Sequence, residues 1–149
     1  MKHRKIYVAS SWRNLLQPGI VVSLRSLGLE VYDFRNPIPD NHGFSWRSIH
    51  PDWERWTPAQ WRDALSHPIS QDGYALDRGG MDWADACVLV LPCGRSAHLE
   101  AGFMAGQGKP VYTLLMEPQE PELMSLLLGP PEHICISMGE LFDALQLTN

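Results

Sequence analysis

The stretch Cys87–Met104 constrains the fold of this chain more than any other. It opens with an apolar, β-branched run, Cys87-Val88-Leu89-Val90-Leu91, the pattern of a strand buried on both faces. Pro92 and Gly94 break that strand. Ser96 is then the predicted N-cap of a helix running from Ala97 to about Gln107, with Gly108 ending it. Strand, tight polar loop and helix in this order belong to an open parallel sheet. There, ligands bind outside the carboxyl ends of the strands, facing helix N-termini. Glu100 falls in the first turn of the expected helix, where the positive end of the helix dipole favours its ionised form. Two roles are open to it on spacing alone. A carboxylate held ionised in a cleft serves as nucleophile or base; alternatively, Glu100 is the acidic partner of a capping pattern led by Ser96.

The rest of the chain repeats the same alternation. Lys5–Ala9 is a first strand, and Ser10 or Ser11 is the expected cap of a helix reaching Leu27, with Leu16, Ile20, Val21 and Leu24 on its buried face and Gly28 closing it. Leu29–Asp33 is a second strand, and strand-helix-strand at this length implies a right-handed parallel crossover. The end of the first strand therefore faces the same side as the Glu100 loop. Phe34 to Pro58 is irregular, with Pro37, Pro39, Gly43, Pro51 and Pro58 among Trp46, Trp53 and Trp56. It reads either as a binding loop whose rings stack on a flat ligand or as a small satellite core. Thr57 caps a short helix with Pro58 at its first position, and His67-Pro68 ends it. Ile69 to Trp83 is another helix, with Asp72, Asp77 and Asp82 among its polar positions. Val111–Leu115 and His133–Ile136 are the last two strands, linked by a Pro- and Glu-rich connection with a short Leu-rich helix, and Met138–Leu145 is the final helix. Five strands alternating with helices predict one domain over 1–149 with a Trp-rich insert at about 34–58. Its class is α/β: a doubly wound five-stranded parallel sheet, flavodoxin-like (Rossmann-like), in a three-layer sandwich.

A net charge of −5 argues against nonspecific binding to a nucleic-acid polymer or an anionic membrane. A local basic pocket for one phosphate stays open. Cys87, Cys93 and Cys135 form an odd set without metal-ligand spacing. Two of them sit in apolar runs, which implies free buried thiols and a reducing cytoplasm. The basic opening at Met1–Lys5 precedes an apolar run too short for a signal peptide, and no run approaches a membrane span. The chain has no P-loop, no Gly-x-Gly-x-x-Gly after the first strand and no Gly-x-Ser-x-Gly elbow. Its six histidines lack metal-binding spacing, so neither a metal nor a cofactor is expected. What remains is carboxylates, Asp77 and Glu100 foremost, among hydroxyls and tryptophans. That set suits substitution at a sugar's anomeric carbon, where one carboxylate attacks and a second acid protonates the leaving group.

Four blocks carry a resemblance: Lys5–Ser11, Asp77–Val88, Ser96–Met104 and Gly108–Val111. In order and content they resemble the nucleoside 2-deoxyribosyltransferase family, whose superfamily includes the deoxynucleoside-5'-monophosphate and cytidine-monophosphate N-glycosidases. The resemblance implies Glu100 as a nucleophile that forms a glycosyl-enzyme intermediate, and Asp77 as the group that protonates the base. It implies a base or sugar site along Ser10, Ser11 and Trp12. Arg13, Asp33, Gly94, Arg95 and Ser96 complete the expected substrate-binding set, with Arg95 or Arg13 and Ser96 facing a phosphate at the helix start; as a lone loop cation, Arg95 reads more readily as solvated than as a phosphate clamp. Asp82 is a lesser candidate for the role of Asp77, and Asp85 caps the entry to the third strand. The chain departs from the transferases at Gly94-Arg95, where they carry an acid, and its Ser-to-Glu spacing is one residue longer than in several of them. The implied activity is N-glycosidic cleavage or deoxyribosyl transfer on a small-molecule nucleoside or nucleoside 5'-monophosphate, by a homodimer or larger homo-oligomer. A non-catalytic nucleotide sensor on the same fold, and a dinucleotide glycohydrolase of the Toll/interleukin-receptor type, are the alternatives.

Overall fold

The computed structural model describes residues 3–146; Met1 and Lys2 of the basic opening lie outside the described residues. The chain forms two compact units. One comprises the described residues up to Asp33 together with those from Met81 on, and the other is Phe34–Gly80.

The first unit holds a five-stranded parallel sheet, in the order β2-β1-β3-β4-β5. Its strands are β1 (Lys5–Ala9), β2 (Glu30–Asp33), β3 (Ala86–Val90), β4 (Val111–Leu114) and β5 (Ile134–Cys135). Helix α1 (Gln17–Ser26) connects β1 to β2. Strand periodicity divides the core in two. Ile6, Val8, Val88, Val90 and Leu114 pack on one face against Ile20, Val21 and Leu24 of α1, and against the residues Leu141 and Leu145. Tyr7, Ala9, Cys87, Leu89 and Val111 face the other side, against Ala97, Ala101 and Met104. β3 is therefore apolar throughout, and β1 is buried throughout after Lys5, as strands covered on both faces must be.

The second unit contains α2 (Pro58–Ala64) and most of α3 (Pro68–Trp83), preceded by short 3-10 turns at Trp46–Ser48 and Trp53–Arg55. The unit thus takes in the Trp-rich stretch at 34–58 and continues to Gly80. Thr57 and Gln60 close a full capping box over the first turn of α2, with Pro58 inside it. Phe44 lies against Gly73 of α3, where a Cβ would meet its ring at 3.0 Å. Helices α4 (Arg95–Gly106) and α5 (Met138–Gln146) complete the chain in the first unit.

Three expectations change. The first helix begins at Gln17, not at the serines. Its N-cap, Leu16, makes no side-chain capping bond, and Leu16 is exposed where Gln17 is buried. Pro18, which fits only the first turn of a helix, sets that start. The Glu100 helix begins earlier than expected. Gly94 is its N-cap, Ser96 lies within its first turn, and no side chain caps it. The Leu-rich connection is a 3-10 turn, Leu123–Leu127, capped by Glu122. Helices α1 and α4 both end before a glycine at positive φ, Gly28 at 84° and Gly108 at 81°. Among the described residues, no helix is long and apolar enough to cross a membrane.

Candidate functional site

β1 and β3 are neighbours, and the helices that follow them leave to opposite faces of the sheet. This divergence opens a crevice at the carboxyl ends of the two strands, the switch point of a doubly wound sheet. A cleft of about 610 Å³ sits there. Ser10, Ser11, Trp12, Arg13 and Asn14 line it from the loop after β1, and Pro92, Cys93, Gly94, Arg95, Ser96 and Ala97 line it from the loop after β3. Seven residues singled out from the sequence therefore meet in one place: Ser10, Ser11, Trp12, Arg13, Gly94, Arg95 and Ser96.

Their surroundings differ. Ser10 is buried, and its hydroxyl donates to the Val90 carbonyl at 3.0 Å. Ser11 Oγ accepts from the Arg13 amide at 3.1 Å and shapes its own loop. Arg13, Arg95 and Ser96 are exposed, and Trp12 is half-exposed. With Gly94 as a bare N-cap, the first amides of α4 have no side-chain acceptor, which is how a helix start presents donors to an anion.

Glu100 is the sixth residue of a helix that starts at Arg95, so it lies in the second turn and not the first. The capping role for it and Ser96 falls with that shift, and the helix dipole acts on it less. Its carboxylate has another anchor: the Tyr7 phenol donates a hydrogen bond to Glu100 Oε2. Tyr7 is fully buried and stacks on Tyr32, with ring centroids 5.2 Å apart. Ala97 and Ala101 flank Glu100 and bring α4 close to the sheet, within reach of a phenol standing on β1. Two thiols register the same carboxylate. Burial first, and then the Glu100 charge, push Cys93 up to about 11, and the same two causes raise the fully buried Cys87. Cys93 Sγ stands 3.6 Å from His98 Nδ1, which lies 2.9 Å from the Gly94 carbonyl oxygen.

The other expected residues have surroundings of their own. Asp33 does not line the cleft; it is buried and accepts from Gln17 Nε2 at 2.9 Å, at the end of β2. Asp82 accepts from Gln107 Nε2 at 3.2 Å. Asp85 accepts from the Arg4 and Lys5 amides, as expected of a residue guarding the entry to β3. Asp77 belongs to the second unit and helps line a pocket of about 210 Å³, with Phe34, Phe44, Asp72 and Leu76 among the other walls. In that unit Trp46 meets Phe44 and Trp56 edge-on, at 4.6 and 5.8 Å between centroids, and all three rings are part-buried.

The residues missed from the sequence are Tyr7, Asn14 and Cys93. The period of two gave Tyr7 the same strand face as Ala9, and a phenol there needs a partner when buried. Asn14 is buried, with its side chain bonded to the Pro92 carbonyl and the Leu16 amide, and nothing local distinguishes it from a solvated loop residue.

No protein-family model matches the chain, and a search of curated proteins finds no match. Among solved structures, the chain is similar to the 2-deoxyribosyltransferase of the psychrotolerant bacterium Bacillus psychrosaccharolyticus, characterised as a biocatalyst for the synthesis of nucleosides. The TM-score is 0.52 and the identity 24%, over 80% of this chain and 77% of the other. The likeness is one of fold: the five-stranded parallel α/β sandwich is that of a deoxyribosyltransferase.

Proposed function

We propose that the chain cleaves the N-glycosidic bond of a nucleoside 5'-monophosphate, with Glu100 as nucleophile and water as the final acceptor. The observation that carries this reading is the Tyr7–Glu100 pair: a half-buried carboxylate, oriented by a buried phenol, one turn along the helix that starts at the cleft. Arg13, Arg95, Ser11, Ser96 and the open amides of α4 are the proposed phosphate contacts. In the proposed reaction a Glu100 oxygen bonds to the anomeric carbon as the carbon–nitrogen bond breaks. The base leaves with a proton, and water then hydrolyses the glycosyl ester. By the resemblance, Asp77 is the proposed acid for the leaving base, and Trp12 and Ser10 line the sugar or base site. Transfer of the sugar to a second base is the alternative second step, in keeping with the deoxyribosyl transfer in the name of the similar structure. Gly94-Arg95, where the transferases carry an acid, favours water.

Chromatography of a panel of nucleosides, 5'-monophosphates and dinucleotides tests the reading. The wild type should release free base, and Glu100→Gln should lower release by about a thousandfold or more with the fold kept. Full activity in Glu100→Gln removes the mechanism, and a wild type that binds nucleotides without releasing base is a sensor, not an enzyme.

A further inference from the structure

The paired part of β1 and β3 ends at Ala9 and Leu89, yet the two chains stay joined beyond it. Ser10 Oγ donates to the Val90 carbonyl at 3.0 Å, and Asn14 Nδ2 donates to the Pro92 carbonyl at 3.1 Å. Both side chains are buried. Two side-chain bonds thus continue the pairing past the sheet edge, on the floor of a crevice whose walls leave toward opposite faces. Asn14 also holds its own loop: its Oδ1 accepts from the Leu16 amide at 2.9 Å, and its amide donates to the Ser11 carbonyl at 3.0 Å. One side chain therefore fixes the loop bearing Arg13 and ties it to the loop bearing Arg95.

We propose that Asn14 is a positioning residue that sets the width of the cleft, and through that the preference for a 5'-phosphorylated over an unphosphorylated ligand. The proposal rests on the monophosphate reading above. An anion held between two guanidinium groups on separate loops needs their separation fixed, because each charge-assisted hydrogen bond depends on distance and angle. An unphosphorylated sugar makes no such demand on the outer cleft. Loosening the tie therefore acts on the phosphate and spares the nucleoside part.

Asn14→Ser separates the two jobs of the side chain. Serine accepts from the Leu16 amide in the same kind of turn but is too short to reach the Pro92 carbonyl; Asn14→Ala loses both bonds and serves as the harsher control. Two measurements on the intact chain decide. Hydrogen exchange, with no ligand present, should quicken at 93–96 in Asn14→Ser as well as in Asn14→Ala. Calorimetric titration with a nucleoside 5'-monophosphate and its parent nucleoside should show the monophosphate weakened about tenfold and the nucleoside unchanged. Unchanged exchange at 93–96 in both variants overturns the tie, and equal weakening of both ligands, or of neither, overturns the role in selectivity. A wild type that binds no monophosphate removes the substrate reading and with it the selectivity role, while the exchange measurement still decides the tie by itself.

Discussion

Cys93 lines the cleft, and its proton reports both its burial and the nearby Glu100 carboxylate. Partial burial disfavours the thiolate, and the Glu100 carboxylate disfavours it further, so the thiol titrates at about 11 where an ordinary one titrates at 9.0. Alkylation proceeds through the thiolate. At pH 8, iodoacetamide should therefore label Cys93 roughly a hundredfold more slowly than the same cysteine in the unfolded chain. Glu100→Gln removes the second of the two causes and should speed the labelling, which places the carboxylate beside the cleft without any assay of activity. Mass-spectrometric rates on the two proteins check this, and identical rates would place Glu100 away from the thiol. Tyr7 bonds the same carboxylate. A phenol donating to a carboxylate favours its ionised form, the form a nucleophile needs.

Helix starts show how far local signals reach. At α2 the sequence and the structure agree to the residue: Thr57 Oγ1 accepts from the Gln60 amide at 3.2 Å, and Gln60 Oε1 accepts from the Thr57 amide at 2.9 Å. All the parts of that cap lie within four residues. Thr57→Ala should cost the helix about 1 kcal/mol, read as faster hydrogen exchange at Gln60 with α4 unchanged. At α4 the same logic picked Ser96 and failed, because the helix begins where β3 and its loop deliver the chain, at Gly94. The better capping residue ends up inside the first turn, and the amides left open are the earlier ones at the helix start. The finish of α3 is likewise a tertiary matter. Lys109 Nζ donates to the Met81 and Asp82 carbonyls, at 2.7 and 3.1 Å, in the last turn of a helix that has no basic residue there of its own.

At the scale of the whole molecule, the thiols couple stability to alkaline pH. Cys87 and Cys93 both titrate higher when folded than when unfolded, chiefly because burial penalises the charged form. A raised value means that the folded state holds its proton longer. The stabilisation is then complete below about 9, the ordinary thiol value, and is lost as pH climbs through about 11. The urea midpoint should fall between pH 8 and pH 11, and Cys93→Ser should remove part of the fall. A midpoint that does not move over that range would contradict the burial of these groups. Such a loss acts on the sheet itself, since Cys87 sits in the core between β3 and α4.

The sequence by itself determined the alternation of strands and helices, the parallel sheet and the loops that meet at its carboxyl edge. Those properties follow from periodicity, from Gly and Pro punctuation and from the handedness of crossovers, all of which act over a few residues or one strand-helix-strand unit. It also singled out Glu100 but put it in the first helical turn, where the structure has it in the second. Only the tertiary structure decided what holds that carboxylate, since Tyr7 and Glu100 are 93 residues apart and no local pattern relates them. The same is true of Asn14, whose bond to Pro92 spans 78 residues. Asp33, chosen for its place at a strand end, is taken by Gln17, a partner that becomes visible only when α1 packs beside β2. Long-range hydrogen bonds depend on where the sheet brings strands together, and that is a property of the packed core, not of any stretch within the chain.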